Sequence, residues 1–166
     1  EDGRYAAAFR AVRRAQALAR RVGYARGEDQ AGAAIEGLRT AALQRWHFQM
    51  LNDVERGLQY ERAIAAAVNS LATRKEVSGA GGIVALDIGT GTGLLALMCA
   101  RLPGVRTVHA CEMNEVLCAV AQEVVAAQGQ VPGAKPRGEV VVHAKVSTDL
   151  HLEERADLMF CEIFDA

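Results

Sequence analysis

An excess of charge of either sign is missing from this sequence of 166 residues. Its 19 Lys and Arg stand against 20 Asp and Glu, for a net charge of −1 and a pI near 6.5. That balance excludes the basic footprint of a dedicated nucleic-acid binder. Long hydrophobic runs are missing too. None approaches the roughly 18–20 residues that span a bilayer, and no signal peptide is expected at its start. The four cysteines, Cys99, Cys111, Cys118 and Cys161, form no C-x-x-C pair and no Cys/His cluster at zinc spacing, and the four histidines are equally scattered. No metal is therefore expected, and the thiols are expected to be free, in a reducing cytoplasm or nucleus. Aromatics make up only 5% of the chain, and its hydrophobic half is largely alanine, 31 residues, which leans the composition towards helix. The length supports one core of ordinary size, not two independent enzyme domains. The first residue is Glu1 rather than Met, and Ala166 follows directly on an apolar run, so the sequence reads as an excerpt of a longer protein.

The first third is helical in pattern. Residues 4–22 carry Tyr5, Phe9, Val12, Ala15, Ala19 and Val22 at helical spacing, with arginines mostly on the other face. Gly27-Glu28-Asp29 reads as a break, with Asp29 as N-cap of a second helix through about Leu43. Residues 1–45 are thus expected to be a helical extension. Its opening, Asp2 to Tyr5 with Ala8, Phe9 and Ala15, resembles the second helix of a tetratricopeptide repeat, but no copy returns about 34 residues later. Residues 46–76 read as one helical stretch in which Met50, Asp53, Arg56 and Tyr60 line one face, a face too polar for simple core. Ser78 to Gly82 is a linker.

Beyond the linker the period changes. Ile83–Ile88 is a continuous apolar run, Leu94–Leu102 is helical, Val105–Cys111 is a short strand and Glu115–Gln128 a helix. Gly129 to Gly138 reads as a loop, and Val140–His143 and Ala156–Cys161 are two more strands. Alternation of this kind means βαβ units, right-handed crossovers and a parallel sheet.

Leu86-Asp87-Ile88-Gly89-Thr90-Gly91-Thr92-Gly93 joins the first strand to its helix. Glycines there let the backbone approach a ligand, with the N–H groups of the helix start facing it. Glu112 ends the next strand, 19 residues after Gly93, where an acid can accept both ribose hydroxyls of an adenosine. Because Gly91-x-Gly93-x-x-Ala96 also satisfies the dinucleotide pattern, an NAD-binding domain stands as an alternative. Asp87 shifts the balance: a carboxylate is awkward beside a pyrophosphate but suits a cationic group such as the amino group of S-adenosylmethionine.

Two further blocks carry a family resemblance. Trp46-His47-Phe48-Gln49-Met50-Leu51-Asn52-Asp53 with Arg56 and Tyr60, and Phe160-Cys161-Glu162-Ile163-Phe164-Asp165-Ala166, resemble the protein arginine methyltransferases over about residues 46–166. The wording is most similar to the types 7 and 9 of that family. The resemblance implies a Rossmann-like α/β methyltransferase sheet of which four parallel strands are present, incomplete at its C-terminal end. It implies S-adenosyl-L-methionine as cofactor and arginine-containing proteins, histones or RNA-binding proteins among them, as substrates. A dimer or pseudo-dimer of the full-length protein is also implied, with neither membrane nor direct nucleic-acid contact.

Carried over residue by residue, the resemblance assigns Arg56 to the cofactor carboxylate, Asp87, Gly89 and Gly91 to its methionine part, and Glu112, with Met113 beside it, to the ribose. Val146 and Ser147 stand where the family meets adenine, and many relatives have Glu where Ser147 is. His47 would lie close to the cofactor, and Met50 would wall the substrate channel, with Asp53 nearby in the catalytic set. Glu162 is expected to accept the hydrogen bonds of a guanidinium, localise its charge on one nitrogen and free another to attack. Its strand is expected to neighbour the first, in the crevice where open α/β sheets bind ligands. The family's second glutamate and its β-barrel lie beyond Ala166, so the fragment is expected to bind cofactor weakly and not to turn over. Other readings are a methyltransferase of the same fold acting on another substrate, although Glu162-Ile163-Phe164-Asp165 stands where a nucleic-acid enzyme would carry Asn-Pro-Pro-Tyr or Asp-Pro-Pro-Tyr, and a non-catalytic scaffold.

Overall fold

A computed structural model describes residues 2–42, 45–74, 81–128 and 136–163, with side chains from residue 7 onward except 42–48. The chain forms two compact units. One holds the residues up to Asn52 with Asn114–Leu117; the other holds Asp53–Met113 and the chain from Cys118 on.

In the first unit, α1 (Asp2–Arg21) and α2 (Ala25–Ala42) pair through an apolar seam that buries Phe9, Ala19, Ala31 and Ile35. The turn between them differs from expectation. It falls at Val22–Tyr24, where Gly23 takes φ 71°, a left-handed conformation that ends a helix cheaply only for glycine. Gly27, Glu28 and Asp29 lie inside α2, so Asp29 is not its cap. The expected single helix over 46–76 is also two, α3 (Arg45–Asn52) and α4 (Val54–Ala72). Asp53 parts them as the N-cap of α4, its Oδ1 accepting the backbone N–H of Arg56 at 3.0 Å.

The second unit is built on four parallel strands in the order β3-β2-β1-β4. They are β1 (Ile83–Ile88), β2 (Val105–Cys111), β3 (Glu139–His143) and β4 (Leu158–Cys161). Ile83, Ala85, Val108 and Ala110 present one face of the sheet to α4 and to α5 (Leu94–Ala100). Ile64 and Val68, one turn apart on α4, join that core, and α5 is buried nearly all round, which explains its uninterrupted apolar sequence. The helix α6 (Glu115–Gln128) links β2 to β3, its first turn capped by the side chain of Asn114. A short 3-10 turn at Ser147–Asp149 follows β3.

β4 lies beside β1, as expected. Before it, Asp157 clamps Val84 twice: its N–H donates to the Val84 carbonyl and its Oδ2 accepts the Val84 N–H, at 2.8 and 2.9 Å. This fixes a register in which Asp87 faces Phe160 and Ile88 faces Cys161. All strands run the same way, but the order of addition reverses at β1, with β2 and β3 laid on one side of it and β4 on the other, and such a switch point opens a crevice at the carboxyl ends of the strands.

Candidate functional site

The register brings two sequence-predicted segments together. Gly89 follows β1 and Glu162 follows β4, so the glycine loop and the acid stand side by side at the switch point. Gly89 has φ 70°, and a Cβ there would collide with Ile163 Cγ2, so the residue after Glu162 packs directly on the loop. The loop is also tied to β2, because the N–H groups of Gly89 and Thr90 donate to the Cys111 carbonyl at 2.9 and 3.0 Å. Gly91 has open space around its Cα, which leaves the crest of the loop free to approach a ligand.

Two carboxylates sit beneath this loop. Glu112 is only 7% exposed, its Oε2 accepts the Gly91 N–H at 3.0 Å, and its own N–H donates to the His143 carbonyl at 3.0 Å. Asp87 is 1% exposed. The Thr90 hydroxyl donates to its Oδ2 at 2.6 Å, whereas Oδ1 has no hydrogen-bond partner; the Ala96 amide acts on its charge without completing a bond. Burial pushes the Asp87 carboxyl up to about 7, Thr90 and Ala96 pull it back, and the negative charges of Glu162 and Glu112 raise it further. A nearly dry acid with one unsatisfied oxygen is a place for a donor or a cation.

Arg56 and Tyr60, one turn apart on α4, face the same end of the sheet. The Arg56 Nε–H donates to Glu162 Oε1 in a part-buried ion pair, which holds the guanidinium above its ordinary pKa. Burial, and then the charge of Glu162, push the Tyr60 phenol up. Arg56, Asp87, Gly89, Gly91, Glu112 and Glu162 are therefore gathered at the ends of β1, β2 and β4. Met113, next to Glu112, is 70% exposed, and Val146 and the half-buried Ser147 lie just past the end of β3, two strands from Gly89. Asp53 is a helix cap, its Oδ1 accepting the Arg56 backbone N–H. Met50 lies on α3 in the first unit, and the side chain of His47 lies outside the described residues, as do Phe164, Asp165 and Ala166.

Thr90 and Tyr60 are the site groups that sequence reasoning left without a role. Thr90 was within reach, standing three residues after Asp87 in a tight turn. The thiols behave as packing: Cys99, Cys111 and Cys118 are buried outside any disulfide, and burial, then Asp87, pushes Cys99 up to about 12. No group of three metal-ligating side chains occurs among the described residues, and no described helix is long and apolar enough to cross a membrane.

A nucleotide-type crevice with acids at β1 and β2 and an ion pair at β4 narrows the comparison with known proteins. No family model matches the chain. It is 37% identical to protein arginine N-methyltransferase 9 of Mus musculus over 127 residues, which are 75% of this chain and 13% of that protein. It is 42% identical to an arginine N(omega)-methyltransferase of Streptomyces achromogenes subsp. streptozoticus over 87 residues, 52% of this chain and 21% of that one. The arginine methyltransferases are its relatives. The chain spans a minor part of the length of each. Among solved structures, a Trypanosoma brucei PRMT1 enzyme-prozyme heterotetrameric complex with AdoHcy matches with a TM-score of 0.56 and 24% identity, over 73% of this chain and 33% of that one. That match, with the strand order, makes the fold a Rossmann-like parallel α/β sheet.

Proposed function

We propose that this chain is the cofactor-binding half of an S-adenosylmethionine-dependent arginine methyltransferase. The observation that carries the reading is the placement of Glu162 at the end of β4, beside the β1 glycine loop and in contact with a guanidinium, that of Arg56. A carboxylate that already holds one guanidinium in a part-buried position has the chemistry to hold another. When bound, S-adenosylmethionine supplies a methyl group made electrophilic by its sulfonium. The residues present fit it. Glu112 offers a carboxylate to a ribose diol, the Arg56 fork suits a carboxylate, and the unsatisfied Oδ1 of Asp87 suits an ammonium. Gly89 and Gly91 keep the approach clear, Val146 and Ser147 receive the adenine, and Met113 lies alongside Glu112.

Catalysis on this reading is mainly positioning. Glu162 accepts hydrogen bonds from two guanidinium N–H groups, concentrates positive charge on those nitrogens and leaves the third with a lone pair to direct at the methyl. The nitrogen–methyl bond would form as the sulfur–methyl bond breaks and the thioether leaves, and the proton lost from the attacking nitrogen would pass to water by way of Glu162. Met50 and His47 keep the substrate and cofactor roles that the family resemblance gives them, and Asp53 holds the start of the helix that carries Arg56. The substrates are arginine-containing proteins, histones or RNA-binding proteins among them, and the setting is the cytoplasm or nucleus. The Streptomyces relative is named for arginine alone, so arginine itself is the second substrate form.

The deciding experiment assays methyl transfer by the full-length protein to an arginine-glycine peptide and to arginine, with wild type and Glu162→Gln. The variant should lose at least about a hundredfold in kcat, the cost of removing a charged partner worth 1.5–3 kcal/mol and its positioning. Unchanged transfer would remove Glu162 from the mechanism. Transfer to arginine alone would select the second substrate form.

A further inference from the structure

We propose that Arg56 is a built-in pseudosubstrate: its guanidinium occupies the acid that receives the substrate guanidinium, so that cofactor and arginine each favour binding of the other. The inference rests on the assignment of Glu162 to substrate above and adds a regulation of that site.

The two partners have opposite assignments. Arg56 suits a ligand carboxylate and Glu162 suits a ligand guanidinium, yet the two are joined to each other through Nε–H and Oε1. Their side chains are 38% and 18% exposed, so the pair is only partly screened by water. They are 106 residues apart in sequence and are held together by the packing of α4 on β1 and β4. Such a tethered guanidinium competes at an effective concentration of roughly millimolar or above. An arriving arginine offers Glu162 the same group that Arg56 already supplies. It must displace like with like, or crowd a second cation against a neutralised acid.

The surroundings do not relieve this competition. Among the described residues, the other charges near the pair are Asp53, whose Oδ1 already accepts the Arg56 N–H, and Asp87 and Glu112 below the loop, which are buried and bonded to Thr90 and Gly91. Tyr60, on the same face of α4, offers a neutral phenol, and its own environment disfavours the anion. With these described acids each engaged by a hydrogen bond, the alternative partner for Arg56 is a carboxylate brought in by the cofactor. When a ligand carboxylate takes Arg56, Glu162 becomes available; when a ligand guanidinium takes Glu162, Arg56 becomes available. By linkage each ligand raises the affinity of the other by the same factor.

The test is calorimetric titration of the intact protein with S-adenosylhomocysteine and with arginine methylamide, a probe carrying one guanidinium. In wild type, saturation with S-adenosylhomocysteine should tighten arginine methylamide at least tenfold. In Arg56→Met, arginine methylamide should bind at least tenfold tighter than to wild type in the absence of S-adenosylhomocysteine, and adding that ligand should bring no further gain. Arg56→Met binding the probe no tighter than wild type would overturn the proposal, whatever S-adenosylhomocysteine does. If Arg56→Met proves unfolded by circular dichroism, Glu162→Gln decides. Released from its acid, Arg56 should then bind S-adenosylhomocysteine at least as tightly as in wild type, and weaker binding would overturn the proposal. A wild type that ignores S-adenosylhomocysteine while Arg56→Met still gains the arginine probe would instead sink the cofactor assignment and leave the pseudosubstrate standing.

Discussion

Asp87 should make this protein less stable as pH rises through neutrality, the reverse of the usual carboxylate. Its carboxyl is 1% exposed, with one oxygen unsatisfied, and burial raises its pKa from 3.8 to about 7. The folded state thus holds a proton that the unfolded chain has released between these values. Stability then falls as pH rises across the window, is lowest above about 7, and is unaffected by this group below about 4. The shift of about 3 pK units corresponds to about 4 kcal/mol at full extent. Asp87→Asn keeps the shape and the contact with Thr90 but cannot ionise. It should match wild type near pH 4.5 to within about 1 kcal/mol and exceed it increasingly towards pH 8, by up to about 8–16 °C in Tm for a domain of this size. Urea denaturation of both proteins across pH 4.5–8 isolates the group, because every other titration cancels in the difference. Binding should pay the opposite way: a ligand ammonium favours the ionised acid, so affinity for S-adenosylhomocysteine should fall about tenfold per pH unit below 7 and level off above it. A stability gap independent of pH, or a flat affinity profile, would refute the argument.

Other expectations follow from single contacts. Glu112→Ala removes the acceptor for the Gly91 N–H and for a ribose diol, and calorimetry should show S-adenosylhomocysteine binding weakened roughly 10–100-fold, at 1.5–3 kcal/mol for a charged hydrogen bond. Undiminished binding would place the ribose elsewhere. Gly89→Ala adds a collision with Ile163 to the strain of a positive φ, whereas Gly91→Ala carries strain alone. Chemical denaturation should therefore rank the first well below the second, which should cost about 1 kcal/mol. Equal costs would mean that Ile163 does not pack on the loop. Asp53→Ala should cost about 1 kcal/mol of stability through the lost cap, with S-adenosylhomocysteine affinity changed less than by Glu112→Ala.

What could be read from the sequence, and what could not, divides by range. β1, β2, α6 and the glycine loop were legible to the residue, because an unbroken apolar strand, a Gly-x-Gly-x-Gly turn and an acid after the next strand are all local patterns. The helix boundaries of the first third were not. Asp53 sits in phase with Met50 and Arg56, so a cap that ends one helix and starts another reads as a continuous face. Gly23 and Gly27 offer two stops four residues apart, and only Gly23 takes the left-handed φ. The site itself was half legible. Each acid could be named, since carboxylates at strand ends announce themselves, but their partners could not. The Arg56–Glu162 pair depends on how α4 packs and on a β1–β4 register that Asp157 fixes by clamping Val84, 73 residues away. The most informative property of Asp87 is an oxygen without a partner, which no pattern of residues can encode. A motif states which groups a site holds; the fold decides which of them already hold one another. Here that difference turns two separate ligand contacts into one competition.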